Sequence, residues 1–479
     1  MSTPQIIPMH SYDAMPTFAN MVLTIMLKYD HVLDPIMLKD AMVELLNKDG
    51  WRKLGARLKY KKGNLIYHIP AEFTEACPAI TFSHVHFDTP MAEHPAAKNI
   101  PTSRPAHDLP TVVMDVETLT PLVRRPGAPA TQREFIDRAL PQLELHVVTF
   151  RDGTTIGVSC LHSLLDGTAL GMQGLLGAWS LVLQGRADQV PETCGFDHDP
   201  LRNLAALHKP SAPPFLHARL VTSLLGSMVW ALRRAYDVFW QPAEETRMVR
   251  VPGRFVERLR QKALEELAVG GAKSAWVSEG DVLVAWWSRY ATQHLPPDTP
   301  VMLTVAYNMR KALAGVLLPP ADERKVFLSN CATGVMAYTT ARELAGEPGP
   351  TAAEVRRSIK DLGTVEQLAA MHAASVPDPR NQRTTRVVGS PWGELVVFSN
   401  WSQAEFFHID FAPAVVGGGE AKAKVVPSFI SYRIDSRAWP MRNMYVIEGK
   451  DSQGDYWLAG TLRKGLWDRI EAGLKSERL

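Results

Sequence analysis

TTIGVSCLHSLLDGTALGMQGLLGAWSLVLQG, residues 154 to 185, is the stretch whose reading decides the fold. It opens as a strand: Ile156, Val158, Cys160 and His162 alternate and so share one face. It closes as a helix, because Met172, Leu175, Leu176, Trp179 and Leu183 recur at helical spacing. Between the two sits HSLLDG, residues 162 to 167, with a histidine ending a buried strand and an aspartate four residues on at a helix start. The spacing His-x-x-x-Asp occurs three times, at His84/Asp88, His162/Asp166 and His294/Asp298, and by itself carries little information. The second alone is followed by glycine and set between an apolar strand and an apolar helix. Two readings fit: a reactive imidazole at a strand end, or a core histidine followed by an aspartate N-cap.

Outward from this stretch, the bulk numbers set bounds. A chain of 479 residues, 46% hydrophobic and 21% charged, is an ordinary globular protein of two or three domains. The net charge of +2, with no basic run, gives no ground for a nucleic-acid partner, yet permits an anionic co-substrate. Cys77, Cys160, Cys194 and Cys331 are far apart and form no CxxC, which fits a reducing compartment and no zinc site. No secretory signal opens the chain, and a cytoplasmic location is expected. Val221 to Trp240 is the most membrane-like segment, but Arg233, Arg234 and Asp237 make it an amphipathic helix rather than a span, so no membrane partner is expected. The ending Glu477-Arg478-Leu479 has the wrong first residue for a peroxisomal signal.

In chain order, residues 20 to 29 read as a strand and Asp34 to Asn47 as a helix with the stripe Leu38, Met42, Leu45 and Leu46. WRKLGARLKY leads into a hairpin over KKGNLIYHI, and residues 79 to 88 read as a further strand. His84, His86 and Asp88 share a face there that could hold a metal, although a solvated polar face is the commoner outcome, and no metal is expected. Residues 89 to 110 read as loop, and 143 to 162 as a hairpin turning at Asp152-Gly153. Residues 186 to 218 read as a crossover, followed by a helix near 219 to 240. The second half brings a strand near Arg247, helices at 253 to 268 and 278 to 292, strands at 301 to 309 and 326 to 339, and helices near 351 to 373. Strands at 394 to 399, 406 to 411 and 428 to 434, a hairpin over 443 to 462 and a terminal helix complete it. Mixed elements in both halves argue an α/β fold, divided into 1–195, a crossover 196–245, and 246–479.

Six segments, in order, resemble the BAHD acyltransferases, and within them the fungal branch. They are WRKLGARL (51 to 58), HSLLDG (162 to 167), SEGDVLVAW (278 to 286), YNMRKAL (307 to 313), VFLSNCATG (326 to 334) and FSNWSQAEFFHIDFAPA (398 to 414). Two departures stand out. The family's DFGWG is DFAPA here, keeping Asp410 and Phe411, and Leu161 stands where the related peptide-synthetase condensation domains usually have a second histidine. The resemblance implies two similar-sized chloramphenicol-acetyltransferase-like domains with mixed sheets and an active-site channel at their interface. It places the histidine mid-channel, with acyl-CoA entering from one face and the acceptor from the other. It also pairs Asp166 with Arg310 from the later strand and makes Asp410 structural.

The chemistry expected is acyl transfer from acyl-CoA, acetyl-CoA foremost, to the oxygen or nitrogen of a small hydrophobic secondary metabolite. His162 would act as general base, with no permanently bound cofactor, in a monomer. Cys160 is a poor nucleophile, being a buried free cysteine. Arg310, Lys311, Arg324 and Lys325 are near the expected donor mouth, but no single cation is assigned to coenzyme A. Ser399-Asn400-Trp401, ending the apolar run ELVVFS, offers the donors for the oxyanion, with Asn400 and Trp401 as candidates and Trp401 as a core aromatic in the plainer reading. A condensation-like catalyst fed by a carrier protein, and a catalytically silent binding protein on the same fold, are the alternatives.

Overall fold

Every residue of the strand Thr154–Leu161 is buried, so the sheet that holds it is covered on both faces. A computed structural model of the chain describes residues 3–101, 108–272, 274–320, 322–375, 389–417, 423–436 and 441–477. Part of the 89 to 110 loop and the last two residues of the chain lie outside these. Thr154–Leu161 is the centre of a five-stranded mixed sheet. Met21–Tyr29 runs antiparallel to it on one side and Leu143–Thr149 on the other. Phe429–Ser436 and Thr81–His86 form the edges, the last pairing in parallel. The Asp152-Gly153 turn forms the expected hairpin, and the helix Pro35–Leu46 starts at Asp34, whose carboxylate accepts from Ile36 N and Met37 N.

A second mixed sheet has seven strands. Ala332–Thr340 and Pro300–Asn308 pair antiparallel at one edge, then Glu394–Asn400 and Met444–Lys450 follow in parallel. Tyr456–Arg463, Glu244–Val251 and Thr111–Asp115 continue antiparallel. The helix Glu279–Thr292 buries Trp286 and Trp287 in the core of this half, and Ser278 with Asp281 closes a full capping box at its start. Each half lends the other a strand. Phe429–Ser436 joins the first sheet and Thr111–Asp115 the second, so the two hydrophobic cores are stitched together at the interface.

Three local expectations need correction. Residues 406 to 411 form no strand; a 3-10 turn covers Phe406–His408, after Glu405 adopts a left-handed conformation. The backbone there is bonded by side chains instead: Tyr29 Oη donates to the Ile409 carbonyl and Ser180 Oγ to that of Asp410. The strand expected over 326 to 339 is interrupted between Lys325–Val326 and Ala332–Thr340, because Arg310 takes the carbonyls of Phe327 and Ser329. The helix after the motif is two pieces, Gly167–Leu170 and Leu175–Leu183. At the break, Met172 N donates to the Ala404 carbonyl, and a Cβ on Gly171 would lie 2.5 Å from that oxygen.

Gly157 sits mid-strand where a methyl group would come within 1.9 Å of the Val123 carbonyl oxygen. Backbone cannot yield as a side chain tip can. Gly157→Ala is therefore expected to destabilise the protein by about 1–3 kcal/mol, the usual cost of overpacking. Thermal unfolding followed by circular dichroism reads this as a lowered Tm; an unchanged Tm contradicts the close packing of Val123 on the strand.

Candidate active site

The chain leaves the strand Thr154–Leu161 at His162, whose N–H still donates to the Met21 carbonyl (2.8 Å). Its ring stacks on Phe18, centroids 4.7 Å apart. The imidazole is half-buried, with Nδ1 wholly buried and unpaired among the described residues. Nε2 is thus the nitrogen left to meet a substrate. Burial holds the pKa of His162 below the ordinary imidazole value; its own backbone, Asp166 and Asn330 pull weakly the other way. That depression favours the neutral ring at pH 7.

Asp166 turns away from His162 and faces the other half of the molecule. One carboxylate oxygen accepts from Ala169 N (2.9 Å) and caps the Gly167–Leu170 turn. The other accepts from Arg310 (2.9 Å) and from Cys331 N (2.9 Å). Burial alone would raise its pKa; Arg310 and the backbone donors outweigh that and hold it below the usual carboxylate range. Arg310 spends its other hydrogens on the carbonyls of Phe327 and Ser329 and on Asn308 Oδ1. Asp410 is equally committed, since its carboxylate accepts from Ala412 N and Val425 N.

A second buried network lies on the opposite side of the motif; Lys53, Ser329 and Asn330 fall within segments singled out in the sequence, Asp13 and Tyr67 do not. Asn330 Nδ2 donates to the His162 carbonyl (2.7 Å) and to Asp13 Oδ1 (2.9 Å), and Asn330 N donates to the same oxygen. Tyr67 Oη lies between the Ser163 carbonyl (2.5 Å) and Asp13 Oδ2 (3.1 Å), and its one hydrogen is shared between these acceptors, the carbonyl being the nearer. Lys53, 2% exposed, lies 3.5 Å from Asp13 and donates to Ser329 Oγ (2.5 Å). Burial lowers the Lys53 pKa, and Asp13 opposes that. Asn330 stands in VFLSNCATG; the one hint of Lys53 was a cation inside the apolar turn WRKLG, and nothing in MHSYDAMP distinguished Asp13.

Trp401 is 8% exposed and lies on the motif turn, its indole nitrogen 3.0 Å from where a Gly167 Cβ would be. Its N–H donates to Ser399 Oγ (2.8 Å), which leaves the Ser399 hydroxyl hydrogen as a donor. Asn400 is exposed, and its Oδ1 accepts from Ser402 N. Cys160 is fully buried and its thiol is pushed up to about 12, so no thiolate is present at pH 7. His84 and His86 both bond Thr149 Oγ1, while Asp88 pairs with Arg151. Among the described residues no cluster has the make-up of a metal site.

A cleft of about 1410 Å³ opens between the halves. Thr168 and Asn308, joined by a hydrogen bond of 3.3 Å, form its wall nearest the motif. Lys311, Arg324 and Lys424 also line it and have no ion-pair partner among the described residues, whereas Lys325 pairs with Glu323. The arrangement brings together a half-buried imidazole at a rigidly held turn, a serine hydroxyl bonded to the Trp401 indole that packs on that turn, and a roomy cleft edged with cations that have no ion-pair partner among the described residues.

No family model matches the chain. Over its whole length it is 36% identical to a Penicillium decumbens protein named transcriptional regulator calD, of which 96% is covered. Over 99% of its length it is 34% identical to the acetyltransferase sphE of Aspergillus fumigatus, of which 95% is covered. In fold it is similar to TRI101 of F. graminearum complexed with coenzyme A and T-2 mycotoxin. The TM-score is 0.68 at 15% identity, over 98% of this chain and 97% of that one.

Asp166→Asn removes the charge that Arg310 needs while keeping the shape. Breaking a buried pair from one side costs about 3–5 kcal/mol, so a clear drop in Tm at pH 7 is expected. The folded pKa of Asp166 lies below its unfolded value, so its contribution is present above about pH 4 and fades as the pH falls through the folded pKa. The Tm gap between wild type and variant should narrow in acid. A gap independent of pH would show that the ion pair is not its source.

Proposed function

We propose that this chain, which belongs to the fungal branch of the BAHD acyltransferases and is an acyltransferase, moves an acyl group, acetyl foremost, from acyl-CoA to a hydroxyl or amine of a small hydrophobic acceptor. His162 is the general base. The observation that carries this reading is the imidazole itself: held at a strand end with Nδ1 buried and its pKa lowered by burial, at the head of the turn whose Thr168 lines a cleft with unpaired cations. TRI101, similar in fold, was crystallised with coenzyme A and T-2 mycotoxin, which supports a coenzyme donor and a small-molecule acceptor here. The name transcriptional regulator, borne by calD and one further relative, would call for a macromolecular partner; a net charge of +2 and a built site favour chemistry.

In this reading coenzyme A lies in the 1410 Å³ cleft, its phosphates met by Lys311, Arg324 and Lys424. The acceptor O–H or N–H gives its proton to His162 Nε2 as its lone pair attacks the thioester carbonyl carbon. The carbonyl oxygen takes up the displaced electron pair and is bonded by the Ser399 hydroxyl. Trp401, by donating to Ser399 Oγ, fixes that hydroxyl and makes it a stronger donor. Collapse re-forms the carbonyl, breaks the carbon–sulfur bond, and the departing thiolate takes the proton from His162. No acyl-enzyme forms, in keeping with the inert Cys160.

His162→Ala is expected to lower kcat about a hundredfold or more, with the far-ultraviolet spectrum unchanged; wild-type turnover by the folded variant would remove the base from the mechanism. The acid limb of kcat/KM should bend below about pH 6.5, because the base works only when neutral and its pKa is depressed. For the oxyanion, Ser399→Ala should lower kcat with little change in acyl-CoA affinity, and Trp401→Phe should do so less. Equal turnover by both variants and wild type would place the oxyanion donor elsewhere, and a loss only in Asn400→Ala would transfer the role to that amide.

A further inference from the structure

The helix Leu224–Trp240 is built inside out. None of its residues is buried, yet its exposed side is apolar. Leu225 is 70% exposed, Met228 60%, Leu232 67%, Tyr236 65%, Phe239 81% and Trp240 69%. At helical pitch these six fall within an arc of roughly 120°. The opposite side, against the protein, carries Trp230 and Val238 as well as polar groups, and the polar groups tie it down. Arg234 reaches Glu394 and Asp237, and Asp237 pairs with Arg442. Ser223 caps the start by accepting from Gly226 N. The helix is thus held in place by its inner side, which leaves the apolar side to the outside. Nine of the nineteen large apolar residues exposed on the described surface lie between residues 216 and 240. A patch of that density marks a contact surface rather than chance exposure.

Shape and charge select the occupant. The surface is a convex ridge formed by one helix, which suits a deformable phase. Tyr236 and Trp240 stack at its C-terminal end (centroids 6.2 Å), and Trp392, 63% exposed, lies beside it under the Arg233 guanidinium at 5.2 Å. Such rings, apolar in body and polar at one edge, favour the headgroup level of a bilayer. Of the exposed residues of the helix, Arg233 alone is charged, and the exposed Arg219 precedes it; the only acid of the helix is engaged on the inner side. The exposed face therefore carries positive charge at its margin, complementary to an anionic headgroup. The helix is not long and apolar enough to cross a membrane.

We propose that Leu224–Trp240 lies along an anionic lipid surface, with its apolar side at the boundary between headgroups and acyl chains. This departs from the sequence expectation of no membrane partner, and it is independent of the acyl-transfer reading. The test is flotation of the full chain with phosphatidylcholine–phosphatidylserine vesicles and with phosphatidylcholine vesicles. Wild type is expected to float with the anionic vesicles and less with the neutral ones. The double variant Leu232→Glu, Phe239→Glu should partition about tenfold or more weakly, with unchanged circular dichroism and unchanged turnover in lipid-free buffer. Arg233→Gln should narrow the difference between the two vesicle types. Wild type remaining unbound to both, or the double variant floating as well as wild type, overturns the proposal. So does sedimentation of wild type as a dimer that the double variant abolishes while neither floats, since a second copy would then be the occupant.

Discussion

One buried carboxylate holds the two halves in register. Asp166 belongs to the turn after the first half's central strand, and Arg310 and Cys331 belong to the second half. With Asp166 ionised, its two oxygens take three partners at once: the N–H of a helix cap, a cation and a backbone N–H, the last two across the interface. A buried pair of this kind is not a large source of net stability, since desolvation offsets most of the attraction. What it supplies is direction. Arg310 is itself fixed by the carbonyls of Phe327 and Ser329, so it orients the turn that bears His162 against the second half. Those same carbonyls would otherwise have continued a strand, and the break in pairing between Val326 and Ala332 is the local cost of the arrangement.

The Asp13 network grips the motif from its other side. Asn330 and Tyr67 take the carbonyls of His162 and Ser163, two backbone acceptors that the strand ladder no longer satisfies once the chain turns. Asn330 is anchored to Asp13, which lies beside Lys53, so a charge pair with almost no exposure supports the position of His162. Asn330 Oδ1 and His162 Nδ1 are both buried and unpaired among the described residues. The amide influences the imidazole in the direction that favours its protonated form. An imidazole with Nδ1 enclosed in this way offers Nε2 alone to solvent-borne substrates.

The elements that were legible in the sequence are those with a strong period and an unambiguous edge. Thr154–Leu161, Met21–Tyr29, the Asp152-Gly153 hairpin and the capped helix Glu279–Thr292 lie where alternation, turn chemistry and capping placed them. Thr111–Asp115 was illegible because its five residues have no alternation and pair with a strand far along the chain. Residues 406 to 411 read as a strand on hydrophobicity, but their carbonyls are claimed by side chains of distant elements, which no local pattern reports. In the site, the motif and the resemblance brought His162, Asp166, Arg310 and Trp401 onto one page. Asp13 and Lys53 escaped because a lone acid and a lone cation carry no period; burial together made them a pair, and burial is a property of the folded chain.

In the proposed mechanism a depressed imidazole pKa has consequences at both ends of the transfer. At the start it weakens His162 as a base, which a reaction with an unactivated ester could not easily tolerate. A thioester is already activated, so the attacking hydroxyl needs only partial deprotonation in the transition state, and a base of lowered pKa serves well. At the end the imidazolium must yield its proton to a thiolate. An ordinary thiol titrates near 8.5, above imidazole even without the depression, so burial of His162 makes this second transfer more favourable. The dry surroundings that lower the pKa also strengthen any hydrogen bond from Ser399 to the developing oxyanion. Burial of the motif turn, secured by Asp166 on one side and Asp13 on the other, thus serves the first proton transfer adequately and the second one well, and sharpens the only charge that forms between them.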